Sequence, residues 1–221
     1  MNVEQILFEV SEALRVPVLV LALVALAIAV AEAGALAMEL WRRRGRSLWR
    51  LDHAIAECQG RLAAGMPAEA YAALLPIARN PAMAEVLGDL VAQQGKPDGE
   101  ARTAKLLAEY DYRSLRKLER TRILVRMGPA LGLMGTLIPL SPALAGLADG
   151  DVATLTENLR VAFGVTVAGL LVGAVAFSIS LVRDRLYAQD YSDVEYVAAR
   201  ISTPPATNGA PAGPSHWAIA P

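Results

Sequence analysis

Two long stretches without a charged residue lie in the second half of the chain, at 127–148 and 161–182. Each has about 22 residues, enough to cross a hydrocarbon core of roughly 30 Å as a helix. A short acidic turn, Asp149-Gly150-Asp151, follows the first stretch and begins the segment 149–160 that joins the two. A third apolar stretch covers 16–38 and is interrupted by Glu32. The pattern predicts three transmembrane helices, the last two forming a hairpin.

Both helices of the hairpin carry a stripe of small residues on one face. At 100° per residue, the small residues of the second helix fall within roughly 100° of Thr136, and those of the third within roughly 80° of Thr166. The opposite face of the second helix is a row of leucines. The two stripes consist of Gly128, Gly132, Gly135, Pro139, Ala143 and Gly146 in the second helix, and Ala162, Gly169, Gly173, Ala176 and Ser180 in the third.

The stripes are open to two interpretations. Small residues let helices approach closely, and Gly169-x-x-x-Gly173 fits that packing motif, so the stripes could be helix–helix contacts whose threonines bond to their own helix. Alternatively they border a central cavity, where Thr136 and Thr166 offer hydroxyls to an ion or a partner helix. We adopt the second interpretation as the hypothesis. It assigns Thr136, Thr166, Gly132, Gly135, Pro139, Gly169, Gly173 and Ser180 to the lining of the ion pathway or partner helix, and Gly128, Pro129 and Ala162 to helix packing.

The first apolar stretch differs from the other two. It is rich in Leu, Val and Ala all round, without a small polar stripe, so we expect it to face lipid on the outside of an assembly. Its acidic start does not suit a signal peptide, which predicts a retained span. Glu32 lies near the inner end, where we expect it to reach the membrane interface or pair with a neighbouring side chain rather than carry ions.

Basic residues gather at one end of each predicted span. They occupy 41–46 after the first, 116–126 before the second, and 183–185 after the third, whereas acids lie at 4–12 and 149–151. By the positive-inside rule, the N-terminus is outside and the C-terminus is cytoplasmic. Between the first two spans, Ala- and Leu-rich segments broken by Gly and Pro predict short helices at 48–64, 67–78 and 80–91, a turn at 95–99, and a helix from Glu100 directly into the membrane.

The predicted fold is an all-α membrane protein: three transmembrane helices, a helical cytoplasmic loop domain, and long helices that extend into the cytoplasm. The segments follow from the apolar stretches and the Pro- and Gly-rich end of the chain. They are an outer N-terminus with the first transmembrane helix (1–41), the cytoplasmic helical domain (42–121), the second transmembrane helix (122–148), a short outer loop (149–158), the third transmembrane helix with its cytoplasmic extension (159–201), and a disordered tail (202–221).

Composition and motifs exclude several classes of function. The chain is 54% hydrophobic and 19% charged with a formal net charge of -1, which does not suggest nucleic-acid binding. With one cysteine and two histidines it forms no internal disulfide and no zinc site, and no nucleotide-binding or hydrolase motif is present. We therefore expect no enzyme activity and no cofactor.

The stripes also lack a residue that could carry a proton. Neither contains Asp, Glu, His or Lys, and a threonine hydroxyl can solvate an ion but does not hold a proton charge at neutral pH. Alone, the chain would be an incomplete channel. A partner helix that bears a carboxylate would complete it.

Two segments resemble the MotA/TolQ/ExbB proton-channel subunits. Residues 128–136, Gly-Pro-Ala-Leu-Gly-Leu-Met-Gly-Thr, are similar to that family's A-P-L-L-G-L-L-G-T, and residues 165–170 are similar to its third-helix motif A-T-A-x-G-L. The three-helix layout favours the TolQ/ExbB branch. Two positions depart from the pattern: Val161 stands where that branch has a glutamate, and its proline in the third helix is absent from 174–178.

The resemblance implies a function beyond what the residues themselves indicate. It implies a homopentamer in the cell inner (cytoplasmic) membrane that surrounds single-helix partners of the TolR/ExbD/MotB type. An aspartate of the partner would take part in the proton flow that drives an envelope motor. The alternative is a non-conducting membrane scaffold, for which the stripes only bind other helices. A small-solute transporter is disfavoured because three helices without an internal repeat leave little room for alternating access.

Overall fold

The computed structural model describes residues 3–43 and 47–202, so the predicted tail falls almost wholly outside the described part. The described residues form helices joined by short turns and contain no strand. This confirms the all-α prediction. The helices are α1 (Val3–Ala13), α2 (Arg15–Arg42), α3 (Leu48–Ala63), α4 (Pro67–Leu74), α5 (Pro81–Gln93), α6 (Gly99–Ala148) and α7 (Val152–Ser202).

Three helices are long and apolar enough to cross a membrane. They are the helix Gln5–Arg42, which comprises most of α1 and all of α2, and the single helices α6 and α7. α6 and α7 have 50 and 51 residues, about 75 Å each at 1.5 Å per residue, so both are far longer than a hydrocarbon core requires. The three predicted spans and the prediction of long helical extensions are confirmed.

The helix α1 was not part of the prediction. It is separated from α2 at Leu14, three residues before Pro17. Proline has no N–H to give to the carbonyl four residues earlier, here Ala13, which accounts for an interruption at this point. One face of α1 is apolar and exposed, with Val3, Leu7 and Val10 all more than half accessible.

The turn between α6 and α7 is shorter than the predicted outer loop, because only Asp149, Gly150 and Asp151 lie outside the two helices. Gly150 adopts a φ of 80°, a left-handed conformation that glycine reaches without strain. Asp151 then accepts a hydrogen bond of 3.0 Å from the Thr154 N–H, so its carboxylate caps the start of α7. This bonding lowers the pKa of Asp151, since the Thr154 hydroxyl and backbone N–H both favour the charged form.

The chain divides into two compact units, which are considered separately. Unit 1 comprises residues 1–46 and 108–191, and unit 2 comprises 47–107 and 192–221. In unit 1, α2, α6 and α7 share one apolar core. Its buried members are Val18, Ala25, Ala29, Leu131 and Val172.

One face of α2 is buried in this core. Val18, Ala22, Ala25 and Ala29 point inward, at spacings of three and four residues, whereas Leu23 and Val30 are exposed. α2 therefore packs through a stripe of small residues like those of α6 and α7. Because the stripe is apolar and the surrounding sequence is also rich in alanine, it does not stand out in the sequence.

Unit 2 contains α3, α4 and α5, whose positions correspond to the predicted short helices. The Asn80 side chain accepts a hydrogen bond of 2.8 Å from the Met83 N–H and so caps α5. Asp193, near the end of α7, forms an ion pair of 2.5 Å with Arg79. Cys58 on α3 is fully buried, and this burial raises the pKa of its thiol to about 11.

Candidate functional site

The small stripes of α6 and α7 face each other in unit 1, where glycines bring the two backbones into close approach. A Cβ atom at Gly128 would lie 2.7 Å from both the Gly169 carbonyl oxygen and the Gly173 nitrogen. One at Gly169 would lie 2.5 Å from the Gly128 carbonyl oxygen and 2.8 Å from the Gly132 Cα. These distances leave no room for a side chain, because the neighbouring atoms belong to the backbone.

The same contact continues along both helices. A Cβ atom at Gly132 would lie 3.3 Å from the Thr166 carbonyl oxygen, and one at Gly173 would lie 2.9 Å from the ring of Pro129. Gly135 abuts the side chain of Val165. We call these five positions the glycine contact: Gly128, Gly132, Gly135, Gly169 and Gly173.

The other small residues of the stripes have different environments. Pro139, Ala143 and Ala162 are buried, whereas Ser180 is partly exposed and donates its hydroxyl to the Phe177 carbonyl oxygen at 2.8 Å. Pro129 is half-buried against Gly173. Within one protomer, the five glycines and Pro129 therefore contact the adjoining helix, whereas the Ser180 hydroxyl bonds within its own helix.

The two threonines lie beside the glycine contact and are half-buried. Thr136 donates its hydroxyl to the Leu133 carbonyl oxygen at 2.7 Å, within its own helix. Thr166 donates to the Ala162 carbonyl oxygen at 3.0 Å and also lies 3.4 Å from the Gly132 carbonyl oxygen across the contact. Each hydroxyl hydrogen thus has an acceptor, and only the lone pairs of each oxygen are left for a further interaction.

This bonding pattern determines what the threonines can do chemically. A hydroxyl that donates to a carbonyl still has lone pairs with which to accept a hydrogen bond or to coordinate a cation. The natural donor for such an oxygen is a protonated carboxylic acid, or a water molecule of an ion's hydration shell. Participation of Thr136 and Thr166 in an ion pathway stays a prediction about an assembly of several chains.

Sequence reasoning missed a group of polar side chains at the end of unit 1 away from the Asp149–Asp151 turn, which we call the loop end. There Arg183 of α7 donates to Glu32 of α2 at 2.5 Å. Of the two roles that the sequence left open for Glu32, pairing with a neighbour is the one observed. At the other end, which we call the turn end, Arg15 of α2 donates to the buried Asn158 of α7 at 2.9 Å.

Comparison with known proteins identifies one family. The model of the MotA/TolQ/ExbB proton channel family matches residues 82–195, just over half of the 221 residues. The matched range contains nearly all of α5, all of α6 and most of α7, and so includes the glycine contact and both threonines. No curated protein matches the chain.

Proposed function

This chain belongs to the MotA/TolQ/ExbB proton channel family, and from that premise we propose that it is the multi-span subunit of a proton-driven motor in the cell envelope. Membership of a channel family supports a role in ion conduction, and the three apolar helices support a multi-pass membrane protein. We further propose that the conducting unit forms only when a partner with a single transmembrane helix joins several copies of this chain.

The chemistry of α6 and α7 carries this proposal. The stripes contain threonine hydroxyls but no Asp, Glu, His or Lys, so they can accept a hydrogen bond but cannot themselves carry a proton at neutral pH. A partner of the TolR/ExbD/MotB type would supply an aspartate. When that aspartate is protonated its O–H can donate to Thr136 or Thr166, whose own hydrogens are already bonded within the helices.

We propose a homopentamer, with α6 and α7 inside and α2 outside. The exposed side of α2 is a continuous apolar surface that includes Val20, Leu23 and Val30, which suits lipid. The number of subunits, five, is taken from the resemblance to the family and not from any contact in this chain. Native mass spectrometry of the detergent-purified chain is expected to show five copies, and a stable monomer would contradict the assembly.

The proposed location is the inner (cytoplasmic) membrane with the N-terminus outside. Arg42, Arg126 and Arg185 all lie at the loop-end side of the three apolar stretches, whereas Asp149 and Asp151 lie at the turn end. The positive-inside rule then places the loop end, with unit 2, in the cytoplasm.

A non-conducting scaffold is the second candidate, and one observation favours it. The glycine contact accounts for the small stripes as packing between α6 and α7, and both threonine hydroxyls already donate to carbonyl oxygens. A scaffold would bind partner helices without passing ions. Conduction is therefore the property that separates the two functions.

Proton flux into liposomes distinguishes them. We expect liposomes with this chain alone to show only background flux under an imposed potential of about 100 mV, which supplies roughly 2.3 kcal/mol per charge. Liposomes that also contain a single-span partner with an aspartate in its helix should conduct. Background flux from the complete complex would favour the scaffold, and flux from the chain alone would show that no partner carboxylate is needed.

A further inference from the structure

The charged side chains at the loop end of unit 1 form one connected cluster across three helices. Arg183 of α7 donates to Glu32 of α2 at 2.5 Å and to the hydroxyl of Thr121 on α6 at 3.2 Å. Its Nε lies 3.8 Å from a carboxylate oxygen of Glu39. One guanidinium group therefore contacts all three long helices of the unit.

A second guanidinium extends the cluster. Arg43, directly after α2, donates to both carboxylate oxygens of Asp190, at 2.8 and 2.7 Å, and to Glu39 at 2.7 Å. The Asp190 side chain is only 1% exposed. Such a bidentate pair constrains both distance and orientation, which a pair of point charges does not. We call Glu32, Glu39, Arg43, Arg183 and Asp190 the loop-end cluster.

The members of the cluster are spaced so that each helix presents one charged face. Glu32, Glu39 and Arg43 are separated by seven and four residues, and Arg183 and Asp190 by seven. Residues at these spacings share a face of an α-helix. Along α2 the order is acid, acid, base, and along α7 it is base, acid, so opposite charges meet when the two helices have their observed alignment.

The apolar packing of α2 does not define that alignment. Its buried face contains Val18, Ala22, Ala25 and Ala29, and a slide of four residues toward the turn end would replace them with Ala22, Leu26, Ala29 and Ala33, so three of the four positions would still hold alanine. Surfaces of similar small residues can pack in several such positions at similar energy. The alanine stripe therefore selects which face of α2 turns inward but not its position along the axis.

The charges do define the alignment of α2, because each slide of this helix along its axis has a specific electrostatic cost. If α2 moved by seven residues toward the loop end, Glu32 would meet Asp190, a carboxylate like itself. If it moved by four toward the turn end, the slide that its small face permits, Glu32 would lie opposite the buried Ile179 in the apolar part of α7. An unpaired carboxylate in an apolar membrane environment is strongly unfavourable.

We propose that the loop-end cluster sets the register of α2 along α6 and α7, as a specificity device, and that its charges do not serve the ion pathway. Buried ion pairs often add little net stability compared with apolar residues of similar size, but polar groups can select one alignment among several. The cluster would thereby keep α2 at one fixed height in the bundle while its apolar surface remains free to face lipid.

The test is a charge-free variant, Glu32→Leu/Glu39→Leu/Arg43→Met/Arg183→Met/Asp190→Leu, in the full chain in detergent. Nitroxide labels at the exposed positions Val30→Cys on α2 and Phe163→Cys on α7 report the position of α2 along α7 through the distance between them, measured by double electron–electron resonance with labelled chain diluted in unlabelled chain. A slide of four residues would move α2 by about 6 Å along the axis. Cys58 should remain unlabelled near pH 7, because it is buried and its thiol is neutral there.

We expect the charge-free variant to remain folded, with a melting temperature within about 5 °C of the unaltered chain, but its distance between the two labels should broaden or shift by several ångströms, on the order of that slide. A matched control removes the exposed pair Arg122–Asp184, whose side chains are 54% and 58% exposed, as Arg122→Met/Asp184→Leu; the distance should stay that of the unaltered chain. An unchanged distance in the charge-free variant would overturn the proposal, since apolar packing would then set the register. A variant that no longer folds would also overturn it, by assigning the charges to stability.

Discussion

Gly169→Leu is expected to prevent the normal assembly of α6 and α7. Even a Cβ atom at this position would lie 2.5 Å from the Gly128 carbonyl oxygen and 2.8 Å from the Gly132 nitrogen, and both are backbone atoms that cannot rotate away. The two helices would have to separate, which exceeds the roughly 1–3 kcal/mol typical of overpacking in a core. We expect loss of the folded oligomer, measured by size-exclusion chromatography and thermal melting in detergent.

Gly164→Leu provides a matched control on the same helix. No atom lies within 4 Å of the position that a Cβ would occupy there, and leucine favours a helix over glycine by about 0.5–1 kcal/mol. This variant should assemble normally, with a melting temperature unchanged or slightly raised. Gly132→Leu and Gly173→Leu are expected to behave like Gly169→Leu. If Gly169→Leu assembled as well as Gly164→Leu, the close contact of α6 with α7 would be wrong.

Thr136→Val/Thr166→Val is expected to retain assembly and lose conduction. Valine keeps the shape of threonine but removes the oxygen that we propose accepts a hydrogen bond from a protonated carboxyl group. A buried hydrogen bond of this kind contributes about 1–3 kcal/mol, so proton flux in liposomes with the partner should fall by about 5- to 150-fold. That loss is comparable to the roughly 2.3 kcal/mol per charge that a potential of 100 mV provides.

Ser178→Ala is the control for hydroxyl removal. The Ser178 hydroxyl donates to the Ala174 carbonyl oxygen at 2.9 Å, as the threonines donate within their helices, but this serine is exposed outside the small stripe of α7. Its removal should leave the flux unchanged. Equal flux from the double valine variant and the unaltered chain would return both threonines to a packing role. Flux that requires sodium would keep their role and exclude the proton as the transported ion.

The hairpin and its stripes could be predicted because both depend on local sequence. Charge-free runs of sufficient length identify α6 and α7 as spans, and the 100° step places Gly128, Gly132 and Thr136 on one face without knowledge of any neighbour. Asn80-Pro81 likewise predicted the start of a short helix, and the structure gives the reason, since the Asn80 side chain caps α5.

The neighbours that contact each helix face could not be predicted from local sequence. A helical wheel identifies the small face of α6 but does not say whether the α7 backbone or a central cavity adjoins it. The inward face of α2 was missed because Ala22 and Ala25 lie among many other alanines. The pairing of Glu32 with Arg183 joins residues 151 positions apart, and only the seven-residue spacings on both helices could have suggested it.

The central claim is that this chain lines an ion pathway whose proton carrier belongs to a partner. The most direct test compares proton flux in liposomes containing this unaltered chain with its single-span partner, in which the helix aspartate is either present or replaced by asparagine. Asparagine keeps the size and polarity of aspartate but cannot take up and release a proton near neutral pH. We predict that the complex still forms and that its flux falls to the level of liposomes without protein. Undiminished flux from the asparagine complex would contradict the account, because the proton carrier would then have to lie elsewhere than on that partner aspartate.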